Sequence, residues 1–180
     1  MRDIRGNLRG IIAMIGTDYV RTMARYNRWQ NGSLYNAADG LPPEARRADR
    51  GAFFKSIEGT LNHLVWGDSI WLHRFAGTPA PQGGIKTSSE MFADWSTLKA
   101  AREALDRRII EWADALLEDW LEGDLAWFSG VLGRELSRPR ALLVAHFFNH
   151  QTHHRGQVHA LLTAAGAKPD DTDLMIMPGV

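Results

Sequence analysis

Five of the seven histidines in this chain lie between positions 146 and 159, and their spacing constrains the fold more than any other feature. An α-helix turns about 100° per residue, so side chains four positions apart lie on nearly the same face. His146, His150 and His154 therefore form one row. Apolar residues share that face of the helix: Leu143, Phe147, Val158 and Leu161. The pattern predicts a helix whose histidine row points into the protein interior.

Buried histidines in a row need a common partner. A buried imidazole without hydrogen bonds costs on the order of a few kcal/mol, whereas a divalent ion takes a lone pair from each ring. His150 and His154, four positions apart, can bind one ion from a single helix. The predicted third ligand is His63, in a buried segment where Gly67 leaves space beside an imidazole. Three histidines leave a coordination position open, which is typical of catalytic zinc sites.

The other histidines have more ordinary interpretations. His146 is a candidate ligand or pocket-lining residue, one turn before His150. His153 and His159 lie off the row, where surface or supporting roles are expected. His63 taken alone would fit a satisfied core histidine. The seven tryptophans are expected in the core rather than around a cofactor.

Apolar periodicity and turn residues predict four long helices and an all-α fold class. The predicted bounds are 17–38, 56–75, 89–117 and 139–165. The predicted N-terminal caps are Thr17-Asp18, Ser56, Ser88-Ser89-Glu90 and Ser137. Pro139 is predicted in the first turn of the fourth helix, where its missing N–H costs little.

The remaining segments are less regular. Residues 124–128 are predicted to be extended, with Gly130 and Gly133 in turns. The connection 118–136 is longer than a simple bundle turn and allows a crossover. The tail, residues 170–180, is expected to pack on the protein through four apolar residues, Leu174, Met175, Ile176 and Met177.

Composition excludes several classes of function. The 21 basic residues balance 21 acidic ones, so no net charge draws the chain to nucleic acid or to an anionic membrane. No cysteine is present, which excludes disulfides and thiolate ligands and leaves nitrogen or oxygen ligands for a metal. No apolar stretch is long enough to span a bilayer. We expect a cytoplasmic protein with one domain over residues 1–180, in which 1–13 form a ragged extension and Met14 is an alternative start.

The histidine motif also excludes one enzyme class. Zinc proteases of the His-Glu-x-x-His type use the glutamate as general base. Here Gln151 follows His150, and a glutamine cannot accept that proton. Asp68 is the nearest carboxylate to the predicted site, and we expect it to form a salt bridge, with Arg155 as a candidate partner.

Three motifs resemble the DinB/YfiT-like family of bacterial metal-binding bundles. They are Tyr26-Asn27-Arg28-Trp29, Leu61-Asn62-His63-Leu64-Val65-Trp66-Gly67-Asp68 and Asn149-His150-Gln151-Thr152-His153-His154-Arg155-Gly156-Gln157. The resemblance covers about residues 14 to 176 and implies a four-helix bundle with a long crossover, a homodimer and a metal site on His63, His150 and His154. Within the third motif, Gln157 and Asn149 are the candidate cofactor-binding residues.

The family resemblance also implies an activity. Relatives include maleylpyruvate isomerases that use mycothiol, and bacillithiol or glutathione S-transferase-like proteins, in which the metal activates the cofactor thiolate. The resemblance thus implies a metal-dependent S-transferase or isomerase that acts on small electrophiles with a low-molecular-weight thiol. Zinc or nickel is the expected ion, with iron or manganese as alternatives.

Two other functions stay open at this point. One is a metal-dependent hydrolase, which needs a proton acceptor that His146 or His153 could supply as the catalytic residue. The other is a stress-linked metal-binding protein without turnover. A small-molecule substrate or thiol is the expected partner in the two enzymatic cases.

Overall fold

The computed structural model describes residues 15–130 and 132–179, and four long helices dominate it. The elements are α1 (Thr17–Asp39), α2 (Pro43–Arg47), α3 (Ile57–Ala76), α4 (Trp95–Ala115), α5 (Glu118–Leu121), β1 (Asp124–Ser129), β2 (Arg134–Pro139) and α6 (Arg140–Ala164). Two short 3-10 helices span Ile85–Glu90 and Leu174–Ile176. The chain is mostly helical, as predicted, with one small sheet added. The predicted extension and alternative start at Met14 lie outside the described residues.

The four long helices share one core. Helix α1 packs against α4 and α6, and α3 packs against the same two helices. Each of the four contributes fully buried apolar side chains: Val20, Leu34, Leu61, Leu72, Leu98, Ile109, Phe147 and Leu162. The contact between α3 and α6 brings the two histidine-bearing helices side by side.

Helix α3 begins where the sequence predicts, but α4 begins later. The Ser56 hydroxyl accepts the Gly59 N–H at 3.0 Å and caps α3. The predicted cap of α4 at Ser88-Ser89-Glu90 is wrong, because these residues end a 3-10 helix. The carboxylate of Asp94 accepts the Thr97 N–H at 2.8 Å instead, so α4 starts at the next residue.

The starts of α1 and α6 use neither predicted cap. The backbone N–H and hydroxyl of Thr17 both donate to the Glu118 carboxylate, at 2.8 and 2.7 Å. A distant side chain therefore satisfies the first turn of α1. Ser137 lies in β2 and donates to Asp124, while Pro139 immediately precedes the first turn of α6. Because Ser137 lies in the hairpin and bonds to β1, it does not cap α6, which begins three residues later.

The predicted extended piece is one strand of a hairpin. Strands β1 and β2 are antiparallel, with Asp124 opposite Pro139. Gly133 has a φ of 63°, a left-handed conformation that favours glycine in the hairpin turn. The Trp127 ring lies 5.8 Å from that of Trp71 on α3. This contact ties the hairpin to the helix that carries His63.

The tail packs on α1 mainly through its backbone. The Tyr26 hydroxyl donates to the carbonyl of Thr172 at 2.6 Å. Of the four apolar tail residues, only Met177 is buried, so the packing prediction is wrong for Leu174, Met175 and Ile176. Within the described part of the chain, no helix is both long enough and apolar enough to cross a membrane.

Candidate metal centre

Three imidazoles converge between α3 and α6. His63 lies on α3, and His150 and His154 lie one turn apart on α6. One ring nitrogen from each can be chosen so that all three lie within 4.8 Å of one another. The Nε2 atoms of His63 and His150 are 3.3 Å apart. Two ligand nitrogens on a tetrahedral zinc ion, each about 2.0–2.1 Å from it, would also be about 3.3 Å apart.

Hydrogen bonds fix the protonated nitrogen of two rings. The Ser88 hydroxyl donates to the Ile85 carbonyl at 2.7 Å, so its oxygen accepts from His63 Nδ1 at 2.8 Å. His154 Nδ1 donates to the Gln157 amide oxygen at 2.7 Å. In both rings the proton is on Nδ1, which leaves the Nε2 lone pair for an ion. Gln157 therefore supports a ligand.

All three rings are neutral at neutral pH. Burial lowers the pKa of His63 to about 4 and that of His150 to about 3, and the nearby His154 adds to both shifts. Burial also lowers the pKa of His154, although its bond to Gln157 opposes this. Metal binding requires neutral imidazoles, so the cluster is in its binding form without having to lose protons.

Packing positions the third ring, that of His150, and adds a stacking contact to the ring of His63. His150 Nδ1 is buried without a hydrogen-bond partner among the described residues. Its ring lies against Gly67, where an added Cβ would be only 2.9 Å from Cε1. The predicted space beside Gly67 therefore belongs to His150 on α6. Phe54 stacks on His63 with ring centroids 3.8 Å apart.

A cavity of 970 Å³ opens beside the cluster. His63 and His150 form part of its lining, and His146 lies farther along, its ring 5.9 Å from that of His150. Most of the apolar part of the wall comes from α3 and β1: Trp66, Ile70, Trp71, Trp127 and Phe128. The buried His63 and the half-buried His150 thus meet a space large enough for a small molecule.

Comparison with known proteins identifies the family of this chain. The model of the DinB family matches residues 14–178. The chain belongs to the DinB family. Protein DinB of Bacillus subtilis (strain 168) is 28% identical over 172 residues, which are 87% of this chain and 92% of that protein. No solved structure matches the chain significantly.

The structure separates the other residues predicted for the site of this DinB-family protein. His146 lines the cavity and keeps much of its surface exposed, and partial desolvation there, together with the charge of Arg74, lowers its pKa. Asn149 and His153 are exposed and are not among the described residues that line the cavity. His153 contacts His154, with ring centroids 4.8 Å apart.

Sequence reasoning missed several parts of the site. Ser88 was assigned to a cap, although a buried serine beside a histidine can also support a ligand. Phe54 precedes α3 in an irregular segment, so no helical or strand periodicity could predict that it contacts His63. The expectation that the tryptophans pack in the core left out a second role, because the half-buried Trp66 and Trp127 also line the cavity. Their side chains supply an aromatic surface for a ligand.

Asp68 pairs with Arg102 rather than with the expected Arg155. The Asp68 carboxylate accepts from Arg102 at 2.6 Å, and Arg102 also contacts Asp106 at 2.8 Å. All three are buried. Arg155 donates to the amide oxygen of Asn27. Because Asp68 directly follows Gly67, this network of buried charges begins one residue from the glycine that contacts the His150 ring.

Alanine at Gly67 should weaken metal binding by about 5–150-fold, because overpacking against the His150 ring costs about 1–3 kcal/mol. The affinity would be measured by competition with a chelating dye. Gly156→Ala on α6 is the matched control, since an added Cβ there meets no atom within 4 Å. Equal affinities for the two variants would contradict the role given to Gly67.

Alanine at Ser88 should lower metal affinity by about 10–100-fold, the usual effect of losing a group that orients a ligand histidine. The same dye competition would measure the loss. Ser89→Ala, which changes a half-buried neighbour outside the cluster, should have little effect. Unchanged affinity in Ser88→Ala would show that the bond to His63 does not hold the ring for an ion.

Proposed function

We propose that this DinB-family protein binds one divalent metal ion through His63, His150 and His154 and transfers a low-molecular-weight thiol to a small electrophile. The observation that carries the proposal is the convergence of three neutral imidazoles beside an accessible cavity. Zinc or nickel is the proposed ion, with iron or manganese as alternatives, because the ligands are all nitrogen.

The surroundings of the cluster support this chemistry. A divalent ion in such a site acts as a Lewis acid that lowers the pKa of a thiol and holds the thiolate. Ser88 and Gln157 hold two ligand rings with Nε2 free. The chain contains no cysteine, so the thiol must belong to a separate molecule. The aromatic wall of the cavity can pack against both reactants and exclude water.

The test is thiol consumption by metal-loaded protein. Glutathione, bacillithiol or mycothiol would be incubated with chlorodinitrobenzene or monochlorobimane, and product formation compared with the uncatalysed rate. Activity should be lost in His150→Ala and kept in His159→Ala, which changes a half-buried histidine outside the cluster. Failure with every thiol, or equal activity in the two variants, would reject the transferase.

Hydrolysis is the second candidate, and His146 favours it. This ring lines the cavity close to His150, and its lowered pKa leaves it neutral and able to accept a proton. Hydrolysis of nitrophenyl esters that is lost in His146→Gln would support this function. If metal-loaded protein turns over neither thiols nor esters, a non-catalytic metal-binding role is the function that fits the site.

We also propose the family's architecture and assembly for this chain. The packing of α1 and α3 against α4 and α6 supports a single-domain four-helix bundle, with residues 116–139 as the long crossover.

A homodimer is proposed because Leu174, Met175 and Ile176 are exposed apolar residues that a partner copy could cover. Light scattering would test the dimer. A cytoplasmic location, without nucleic-acid or membrane partners, is proposed from the neutral charge.

A further inference from the structure

The charged residues of the cavity wall are all basic. Among the described residues that line the cavity, Arg74 and Lys86 are cationic, and none is an aspartate or a glutamate. A concave surface with low-dielectric walls and charges of one sign attracts ligands of the opposite sign. The cavity therefore favours an anionic ligand.

Arg74 is held in place by aromatic stacking. Its guanidinium carbon lies 4.5 Å from the centre of the Trp71 ring and 5.6 Å from that of Trp127. The side chain is half-buried, and burial lowers its pKa. It makes no ion pair within the described part of the chain. A stacked guanidinium keeps the N–H groups along its edge available, and these match the two oxygens of a carboxylate.

Arg74 and the histidine cluster lie along one continuous wall. The Trp71 ring, on which the Arg74 guanidinium stacks, also contacts the His146 ring, with centroids 5.2 Å apart. His146 in turn lies 5.9 Å from His150. A molecule that pairs with Arg74 would therefore extend past His146 toward the metal ligands.

We propose that the cavity binds a small carboxylate-bearing molecule whose carboxylate pairs with Arg74 while its other end faces His150. The inference rests on the proposed function in taking this cavity as the substrate site, and it narrows the electrophile or thiol to an acidic compound. The aromatic wall contacts the apolar part of the ligand, and Arg74 fixes its orientation. Arg74 is thus assigned as a specificity-determining residue.

The test uses two probes that differ mainly in charge, 2-naphthoate and 2-naphthamide. Isothermal titration calorimetry would measure both with wild-type protein and with the variants Arg74→Gln, Arg74→Lys and Lys86→Gln. Wild type should prefer the acid by about tenfold or more, as expected for a charge-assisted pair. Arg74→Gln should lose this preference, and Arg74→Lys should keep part of it. Lys86→Gln should keep most of it, because Lys86 is exposed.

The second probe, 2-naphthamide, is the control for these measurements. Unchanged naphthamide binding in Arg74→Gln would show that the cavity is intact in that variant. Neither probe is a thiol or an electrophile, so this test stands even if thiol transfer fails. The proposal is overturned if wild type binds no naphthoate or binds both probes equally, or if Arg74→Gln keeps the preference. Loss of the preference in His150→Ala would instead assign the carboxylate to the histidine cluster.

Discussion

Alanine in place of His150 or His154 should lower the bound metal from about one ion per chain to near zero. Each substitution removes one of the three imidazoles proposed as ligands, and the chain has no cysteine to replace it. His63→Ala should have the same effect, since this ring holds the cluster from the other helix. The expected loss is the largest that the structure predicts for any single side chain at the site.

Elemental analysis of protein purified without a polyhistidine tag would measure the metal content. His159→Ala, on the same helix but outside the cluster, should bind as much metal as the wild type. Chelation should also lower the melting temperature of the wild type, because an ion bound only by the folded state stabilises it. Full metal content in His150→Ala would refute the site.

Leucine in place of Arg102 should destabilise the fold by about 3–5 kcal/mol, the usual cost of removing one partner from a buried ion pair. Arg102 lies between Asp68 and Asp106, and both carboxylates are buried. Without the guanidinium, the two buried carboxylates would lose their ion-pair partner, and the charge of Arg155 would compensate them only in part. Urea unfolding followed by circular dichroism would measure the change.

The matched control is Lys99→Leu on the same helix. Lys99 pairs with Asp39 at 2.7 Å, but the pair is partly exposed, so the loss should be no more than about 1 kcal/mol. Similar losses for the two variants would show that burial does not distinguish these ion pairs.

The effect of Arg102→Leu should also depend on pH. Burial raises the pKa of Asp68 and of Asp106, and Arg102 opposes both increases. Without Arg102, the folded-state pKa values would lie further above the unfolded ones. Protonation then stabilises the fold at low pH, and that stability is lost as the pH rises through the folded pKa. The loss should therefore be larger at about pH 8 than at about pH 5.

The sequence predicted the long helices well because their apolar faces are periodic. The predicted bounds of α1, α3 and α6 differ from the observed ones by one residue at most at each end. The start of α4 was misplaced because two candidate caps lie close together, and only the fold shows that Asp94 is the one used. No local pattern could reveal that Glu118, about 100 residues away, satisfies the start of α1.

The site was predictable to the extent that it lies on helices. His150 and His154 were found from their spacing, and His63 from its buried segment. Ser88 and Phe54 lie outside the long helices, where the spacing of residues in the sequence does not predict which way a side chain points. The partner of Asp68 was wrongly predicted because Arg102 belongs to a series of charged residues on α4 that the sequence suggests are exposed. Only the packing of the helices shows that Arg102 is buried.

The proposed metal ligands and the cavity wall come from different kinds of structure. The three imidazoles are fixed on α3 and α6, whereas residues 83–87 and 127–130 of the wall belong to loop, 3-10 and hairpin segments. Changes in the length or composition of these segments can therefore alter the compound that is accepted and leave the ion in place. In this architecture, proteins that share the three histidines can diverge in the chemistry they serve, so ligand preference must be determined separately for each one.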